Sequence, residues 1–403
     1  MISNSVKIAW RSIRKNKLYT FVNIVGLTIG IASCLLIGVY ILHEFSFDKF
    51  HKNADRIARV TMDYNAGDAV TKVALTGTKV GPQFERSFPE VESYARTLKY
   101  GRVLKYGDNA FEEKNFLYAD SAFFSIFSFP LIEGNAATVL DAPDKIVITK
   151  KMAEKYFRNA NAVGKIIKVD TKDFIVSGIS ENTPNNSQIQ FDFVASFKAL
   201  NASKVEKWWE ANYVTYLLLK PNTNIASLQK NVSAYMKTVT RDELKMEGSN
   251  YLTYYLEPIT SVHLRSPLEG FEPNNNITYI YILAIIGLLI LFIASVNYTN
   301  LAIAQSASRT GEIGIRKVLG ALRLQVFRQF MGESMFLTMI AMLLAVFASY
   351  LLLPFFNRLS GKGMEAEALF QPASLLTLII IGIVVSIAAG IYPALLLSNL
   401  KSI

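Results

Sequence analysis

The sequence predicts a membrane protein with four transmembrane α-helices and a large α+β extracytoplasmic domain between the first and second. Three observations carry that fold class. The 403 residues are 51% hydrophobic and 18% charged, with a mean hydropathy of +0.26, whereas soluble domains carry about 25% charged residues. Four charge-free stretches are each long enough to cross about 30 Å of hydrocarbon, which takes about 20 apolar residues. The net positive charge gathers outside the long segment that separates the first two stretches.

The stretches are residues 18–42, 277–304, 334–356 and 373–397. Asn23 is the only strongly polar side chain in the first, and Asn297 and Asn300 fall near the end of the second. Buried helices of soluble proteins rarely run more than two turns without a charge on some face, so membrane crossing is the better reading. The first stretch is also longer than the about 7–15 apolar residues of a signal peptide. No small-residue cleavage site follows Leu42, and it reads as a retained anchor.

Charge sets the orientation. Residues 1–17 hold Lys7, Arg11, Arg14, Lys15 and Lys17 with no acid. Residues 305–333 hold Arg309, Arg316, Lys317, Arg323 and Arg328 against Glu312 and Glu333. In the short outer loop 357–372, Arg358 and Lys362 balance Glu365 and Glu367, and residues 398–403 add Lys401. Between Glu44 and Asn276 stand 29 basic and 28 acidic residues, a net of +1, so +9 of the total +10 lies on the inner pieces. Both termini therefore face the cytoplasm and residues 44–276 face outward. The positive charge belongs to topology, and no nucleic-acid partner is expected. Ahead of the first span, Ile2, Val6, Ala9 or Trp10, and Ile13 recur at helical spacing opposite Lys7, Arg11 and Arg14, which predicts a short amphipathic helix over 1–17 in the inner headgroup layer.

The outward segment mixes α and β patterns. Tyr213-Val-Thr-Tyr-Leu-Leu-Leu reads as a buried strand stopped by Lys220-Pro221. Asn224 caps a helix to about Val239 with Ile225, Leu228, Val232 and Met236 on one face, and Tyr251-Leu-Thr-Tyr-Tyr-Leu returns as a strand. Residues 56–62, 80–88 and 91–98 repeat the strand–helix–strand pattern. Between the two units, Lys145-Ile-Val-Ile-Thr, Gly164-Lys-Ile-Ile-Lys-Val and Asp173-Phe-Ile-Val-Ser-Gly-Ile predict an inserted, β-rich lobe at about 102–187.

Several chemistries are missing. The single cysteine, Cys34, excludes a disulfide scaffold, and His43, His51 and His263 are too few for a His-rich metal cluster. The chain has no phosphate loop, no G-x-S-x-G elbow and no H-E-x-x-H helix. Glu112-Glu113 and Asp141/Asp144 read as solvated carboxylates, His51 as a surface histidine and Trp208-Trp209 as core packing. No relay of ionisable groups runs through the spans, so an ion-coupled pump is not expected. No catalytic residue, metal or cofactor is assigned to the chain.

The loop 305–333 is more informative. Glu312 and Arg316 stand four apart in the favourable order for a helical ion pair. Gly314 and Gly320 mark bends or close backbone approaches. Leu322, Val326 and Phe330 then make an apolar stripe beside Arg323, Gln325, Arg328 and Gln329, a short amphipathic helix across the inner surface. On these grounds a plain connector and a docking element both stay open.

Here the sequence resembles the MacB/FtsX-type permeases of ABC transporters. The run Glu312-x-Gly314-x-Arg316-Lys317-x-x-Gly320-Ala321, continued by Gln329-Phe330-x-x-Glu333-Ser334, is similar to that family's cytoplasmic signature. Ala9-Trp-Arg-Ser-Ile-Arg-Lys-Asn-Lys and Gly26-Leu-Thr-Ile-Gly30 resemble its approach to the first span, and Gly390-Ile-Tyr-Pro-Ala394 its last span. Tyr118-Ala-Asp-Ser-Ala-Phe-Phe, Phe129-Pro-Leu-Ile-Glu-Gly and Ile148-Thr-Lys-Lys-Met-Ala-Glu-Lys-Tyr-Phe resemble its extracytoplasmic core domain.

The resemblance implies a multi-pass protein of the bacterial inner membrane, with residues 44–276 periplasmic. It implies that the loop docks on an ABC ATPase subunit supplied in trans, which holds the ATP and magnesium. The docking positions are Glu312, Gly314, Arg316, Lys317, Gly320, Ala321, Arg323, Gln325 and Arg328. It further implies dimerisation with a second permease copy or half-module through the first two spans, where Gly26 and Gly30 fit close helix contact. The two strand–helix–strand units correspond to the family's porter-like subdomain. The expected function is mechanotransmission for export of a drug, peptide, lipid or lipoprotein, with a periplasmic or outer-membrane partner. Regulation of a periplasmic partner such as a cell-wall hydrolase is the second reading, and a membrane sensor or scaffold the third. The chain stops directly after the fourth span, which leaves open a half-permease and the first half of a double-length relative.

Overall fold

The computed structural model describes residues 17–67, 69–158, 161–307, 311, 315, 318–319 and 322–398. The element order begins α1 (Lys17–Phe45), β1 (Ile57–Asn65), β2 (Val70–Val73), α2 (Val80–Ser87), β3 (Val91–Tyr106) and β4 (Asn109–Ala119). It continues α3 (Phe123–Ile126), β5 (Leu131–Glu133), β6 (Lys145–Thr149), α4 (Lys150–Phe157), β7 (Ile166–Val169), β8 (Lys172–Ser180) and β9 (Phe193–Ser196). The last elements are β10 (Val214–Leu219), α5 (Ile225–Thr238), β11 (Tyr251–Pro258), α6 (Ile259–Arg265), α7 (Ile277–Ala307), α8 (Arg323–Ser360) and α9 (Pro372–Ser398). The chain divides into two units, Met1–Phe45 with Thr278–Ile403, and Ser46–Ile277.

In the first unit, α1, α7, α8 and α9 are each long and apolar enough to cross a membrane. α1, α8 and α9 overrun the expected spans at both ends and α7 only at its C-terminal end, because helix continues into polar flanks once a span is nucleated. The largest difference is α8. A separate amphipathic helix ahead of residue 334 is not what forms: the chain is continuous helix from Arg323 to Ser360. Between Phe330 and Ser334 only Gly332 weakens the helix, and a single glycine costs about 1 kcal/mol, too little to break it. The expected amphipathic helix over 1–17 lies outside the described residues, apart from Lys17, which begins α1.

In the second unit, eleven strands among the described residues form one sheet, ordered β11-β1-β10-β3-β4-β9-β6-β8-β5 with β2 beside β1 and β7 beside β3 and β8. The first four neighbours are antiparallel. They come from the two strand–helix–strand units, β1-α2-β3 and β10-α5-β11, interleaved as in a ferredoxin-like fold. The helices cover one face through Val80, Phe84, Leu228, Val232 and Met236, packed on Ala58, Val60, Met62, Leu217 and Tyr254. The Asn224 side chain accepts from Ser227 N–H at 3.0 Å and starts α5 where the sequence places it.

The β-rich lobe is not a detachable insert at 102–187. β3 runs through its first boundary, pairing with β10 at one end and with β4 and β7 at the other. The second boundary lies further on, because β9 sits between β4 and β6. An aromatic cluster of Phe123, Phe127, Phe129 and Phe191 fills the core that β10 shares with β4, β6 and β9.

Candidate coupling site

The described part of the loop 305–333 is short. Glu312, Gly314, Arg316, Lys317, Gly320 and Ala321 lie outside the described residues. Gly311, Ile315 and Val318 are helical, and Leu319 N–H donates to Ile315 O at 3.0 Å. This turn presents an apolar surface that reading the charges missed. Ile315 is 65% exposed, Val318 72% and Leu319 81%, with Leu322 and Leu324 exposed beside them. The spacing i, i+3, i+4 was visible in the sequence, but the charged residues between obscured it.

Arg323, Gln325 and Arg328 are exposed on the first turns of α8, while Val326 is buried. Gln325 has a local role as well: its Oε1 accepts from Leu322 N–H at 3.0 Å and satisfies a donor at the helix start. The signature continues to Ser334, and there it meets the other end of the chain. A Cβ placed on Gly390 would lie 3.0 Å from Ser334 Cβ and Oγ and 3.1 Å from Met331 Sδ. Gly382 is tighter still against Met342. α8 and α9 thus pack through glycines eight residues apart.

Gly26 and Gly30 face the chain's own second span. A Cβ on Gly30 would lie 2.7 Å from Ala294 Cβ, and one on Gly26 3.3 Å from Asn297 Nδ2. The Cys34 thiol donates to Gly287 O at 3.0 Å along the same seam. α1 also touches α8, where Ser349 Oγ donates to Ala32 O at 3.4 Å, and α9, where Gly38 approaches Thr377. At the other end of α1, the buried Glu44 carboxylate pairs with Lys362 at 2.8 Å. Sequence reading placed these two charges in separate loops and did not join them.

In the large domain the readings of Glu113, His51 and Trp209 need correction. Glu113 is buried: Tyr156 donates to it at 2.6 Å and Lys155 at 2.5 Å. His51 is 3% exposed, packed among Phe50, Phe127 and Phe129, with Nδ1 accepting from Ser128 N–H at 3.2 Å. Burial holds its imidazole well below the usual range, at about 4. Asp141 keeps to the surface but pairs with Lys145. Trp208 is core, against Phe84 and Tyr254, whereas Trp209 is half-exposed on Tyr64.

Two profiles match the chain: the MacB-like periplasmic core domain over residues 20–235 and the FtsX-like permease C-terminal region over 284–401. A macrolide export ATP-binding/permease protein MacB of Photorhabdus laumondii is 23% identical over 414 residues, 96% of this chain and 58% of that protein. The protein of the same name from Salmonella paratyphi A is 21% identical over 354 residues, 83% of this chain and 50% of that one. The chain spans little more than half the length of these curated relatives. Among solved structures, a permease-protein domain from Porphyromonas gingivalis is 24% identical at a TM-score of 0.46, covering 58% of this chain and 98% of that one. The periplasmic region of MacB from Actinobacillus actinomycetemcomitans is 12% identical at 0.37, covering 51% and 90%.

Proposed function

The chain belongs to the MacB/FtsX-type family of ABC transporter permeases, and from that premise we propose that it relays ATP-driven motion from a separate ATPase to its large domain, extruding a drug, peptide, lipid or lipoprotein. In this reading both termini are cytoplasmic, residues 44–276 are periplasmic, and the permease works as a dimer. The 403 residues carry no phosphate loop, and in this reading the ATPase supplies the nucleotide chemistry.

The observation that carries the proposal is the composition of the 305–333 turn. The segment carries five basic residues in sequence, Arg309, Arg316, Lys317, Arg323 and Arg328, and its Ile315, Val318 and Leu319 are exposed. Exposed apolar anchors in a segment rich in charge suit a protein partner: the anchors supply most of the binding energy, and the charges fix register and rate. A plain connector needs no such exposed apolar turn.

ATP hydrolysis by the cognate ATPase, measured with and without the full chain, tests the proposal. Stimulation that Glu312→Lys or Arg316→Glu reduces at least tenfold supports it. An ATPase that neither binds the chain nor responds to it refutes it. Affinity capture with the full chain separates transport from regulation, since recovery of a cell-wall hydrolase would replace export with control of that enzyme.

A further inference from the structure

Two irregular segments connect the large domain to the membrane helices. Residues 46–53 follow α1, and residues 266–276 precede α7. Both are gripped by one short piece of chain, residues 186–188. On the first side, Asp48 N–H donates to Asn186 O at 2.9 Å, and Asn186 Nδ2 donates to Ser46 Oγ at 2.9 Å. Ser187 Oγ and Gln188 N–H each donate to Asp48 Oδ1 at 3.0 Å. On the second side, Gln188 Nε2 donates to Asn274 Oδ1, and Asn274 Nδ2 donates to Ser266 O and Leu268 O at 2.9 Å each.

Further contacts close the ring. The Phe47 ring stacks on His263 with centroids 3.4 Å apart, and His263 O accepts from Asn275 N–H at 2.8 Å. Arg59 of β1 donates to Leu268 O at 2.9 Å, and Lys99 of β3 pairs with Glu272. Asp48 is fully buried and holds φ at +56°, a conformation that costs a non-glycine residue roughly 1–2 kcal/mol. Such strain persists where the surroundings over-determine it, and it gathers at functional positions. Here it turns the carboxyl toward residues 187 and 188.

We infer that residues 186–188 are a clasp that makes the two membrane-proximal necks open and move as one body. The inference rests on the force-relay reading above and deepens it: displacement of either span reaches β1 and β3 together. Asp48 and Gln188 are its positioning residues. Without Asp48 the buried Gln188 N–H and Ser187 hydroxyl lose their acceptor, and an orphaned buried donor costs more than a hydrogen bond gains.

Hydrogen–deuterium exchange on the full chain in lipid nanodiscs tests this. Asp48→Ala should raise exchange at least tenfold in residues 263–276 as well as in 46–51, with β10 unchanged as the internal control. A rise confined to 46–51, with 263–276 within twofold of wild type, overturns the clasp. Should β10 loosen too, Gln188→Ala decides. Its side chain reaches only the Asn274 side, so a coupled rise in 46–51 supports the clasp and an unchanged 46–51 overturns it. No ATPase enters this measurement, so a wild-type chain that fails to stimulate the partner defeats the force-relay reading and leaves the exchange result standing.

Discussion

Lys362 Nζ lies 2.8 Å from Glu44 Oε1, with the Glu44 side chain wholly buried and that of Lys362 20% exposed. The pair ties the last turn of α1 to the loop after α8. That loop is shaped by Gly361, which ends α8 at φ +67°, and by Asn357, whose Nδ2 donates to Met364 O at 2.7 Å. Removing one member of a buried pair strands the other charge, at about 3–5 kcal/mol, while replacing both by apolar residues is often neutral. Lys362→Met should therefore lower thermal stability in detergent by about 3 kcal/mol or more. Glu44→Leu/Lys362→Met should recover to within about 1 kcal/mol of wild type. A single variant as stable as wild type would show that the pair contributes nothing.

The Gly30 seam makes a steric prediction. A Cβ there meets Ala294 Cβ at 2.7 Å, closer than methyl groups pack, whereas Gly26 faces only the amide end of Asn297. Overpacking costs about 1–3 kcal/mol. Gly30→Val should destabilise the helical unit by that amount, Gly26→Ala by less, and Ala294→Gly should rescue Gly30→Val. Thermal melts of the purified chain read all three. Failure of the rescue would place the clash elsewhere.

Asp48 and His51 make a prediction about pH. They lie 3.8 Å apart, Oδ1 to Nε2. Burial pushes Asp48 up from 3.8 to about 7, against the opposing hydrogen bonds from Gln188 and Ser187, and pushes His51 down from 6.5 to about 4. Between pH 4 and 6.5 the folded domain holds one proton, on Asp48, and the unfolded chain holds one, on His51. The proton counts match, so the pair leaves stability flat there. Around pH 6.5–7 the unfolded His51 gives up its proton slightly before the folded Asp48 does, so stability falls only gently with rising pH. In Asp48→Asn only the His51 contribution remains, present above 6.5 and lost as pH falls toward 4. Its stability should climb by about 1.4 kcal/mol per unit between those limits. Denaturation at pH 4.5 and 6.0 compares the slopes, and equal slopes in wild type and variant contradict the account.

The legible features were those with a strong periodic signal. Four apolar runs gave the spans, and alternating or i, i+4 apolar residues gave β1, α2, α5, β10 and β11, with Asn224 marking one helix start. β4 escaped because Glu112-Glu113 breaks its alternation, and only the partners Lys155 and Tyr156, some forty positions later, make Glu113 a buried residue. β9 escaped because four residues carry too little pattern. Glu44–Lys362 and the grip of residues 186–188 on Asp48 and Asn274 are long-range pairings that no local spacing encodes. At the candidate coupling site the charges were legible. The exposed apolar turn beside them depends on which face packing leaves open.

The relay account depends on the 305–333 turn touching the ATPase, and photo-crosslinking from position 319 measures that contact. A photoreactive side chain in place of Leu319, which is 81% exposed, should form a covalent adduct with the ATPase subunit in membranes containing both proteins. The same probe at Leu359, 75% exposed beyond the far end of the α8 span, should form none. Adducts from position 319 with lipid or with a second permease copy alone, in the presence of an ATPase that hydrolyses ATP, would contradict the account.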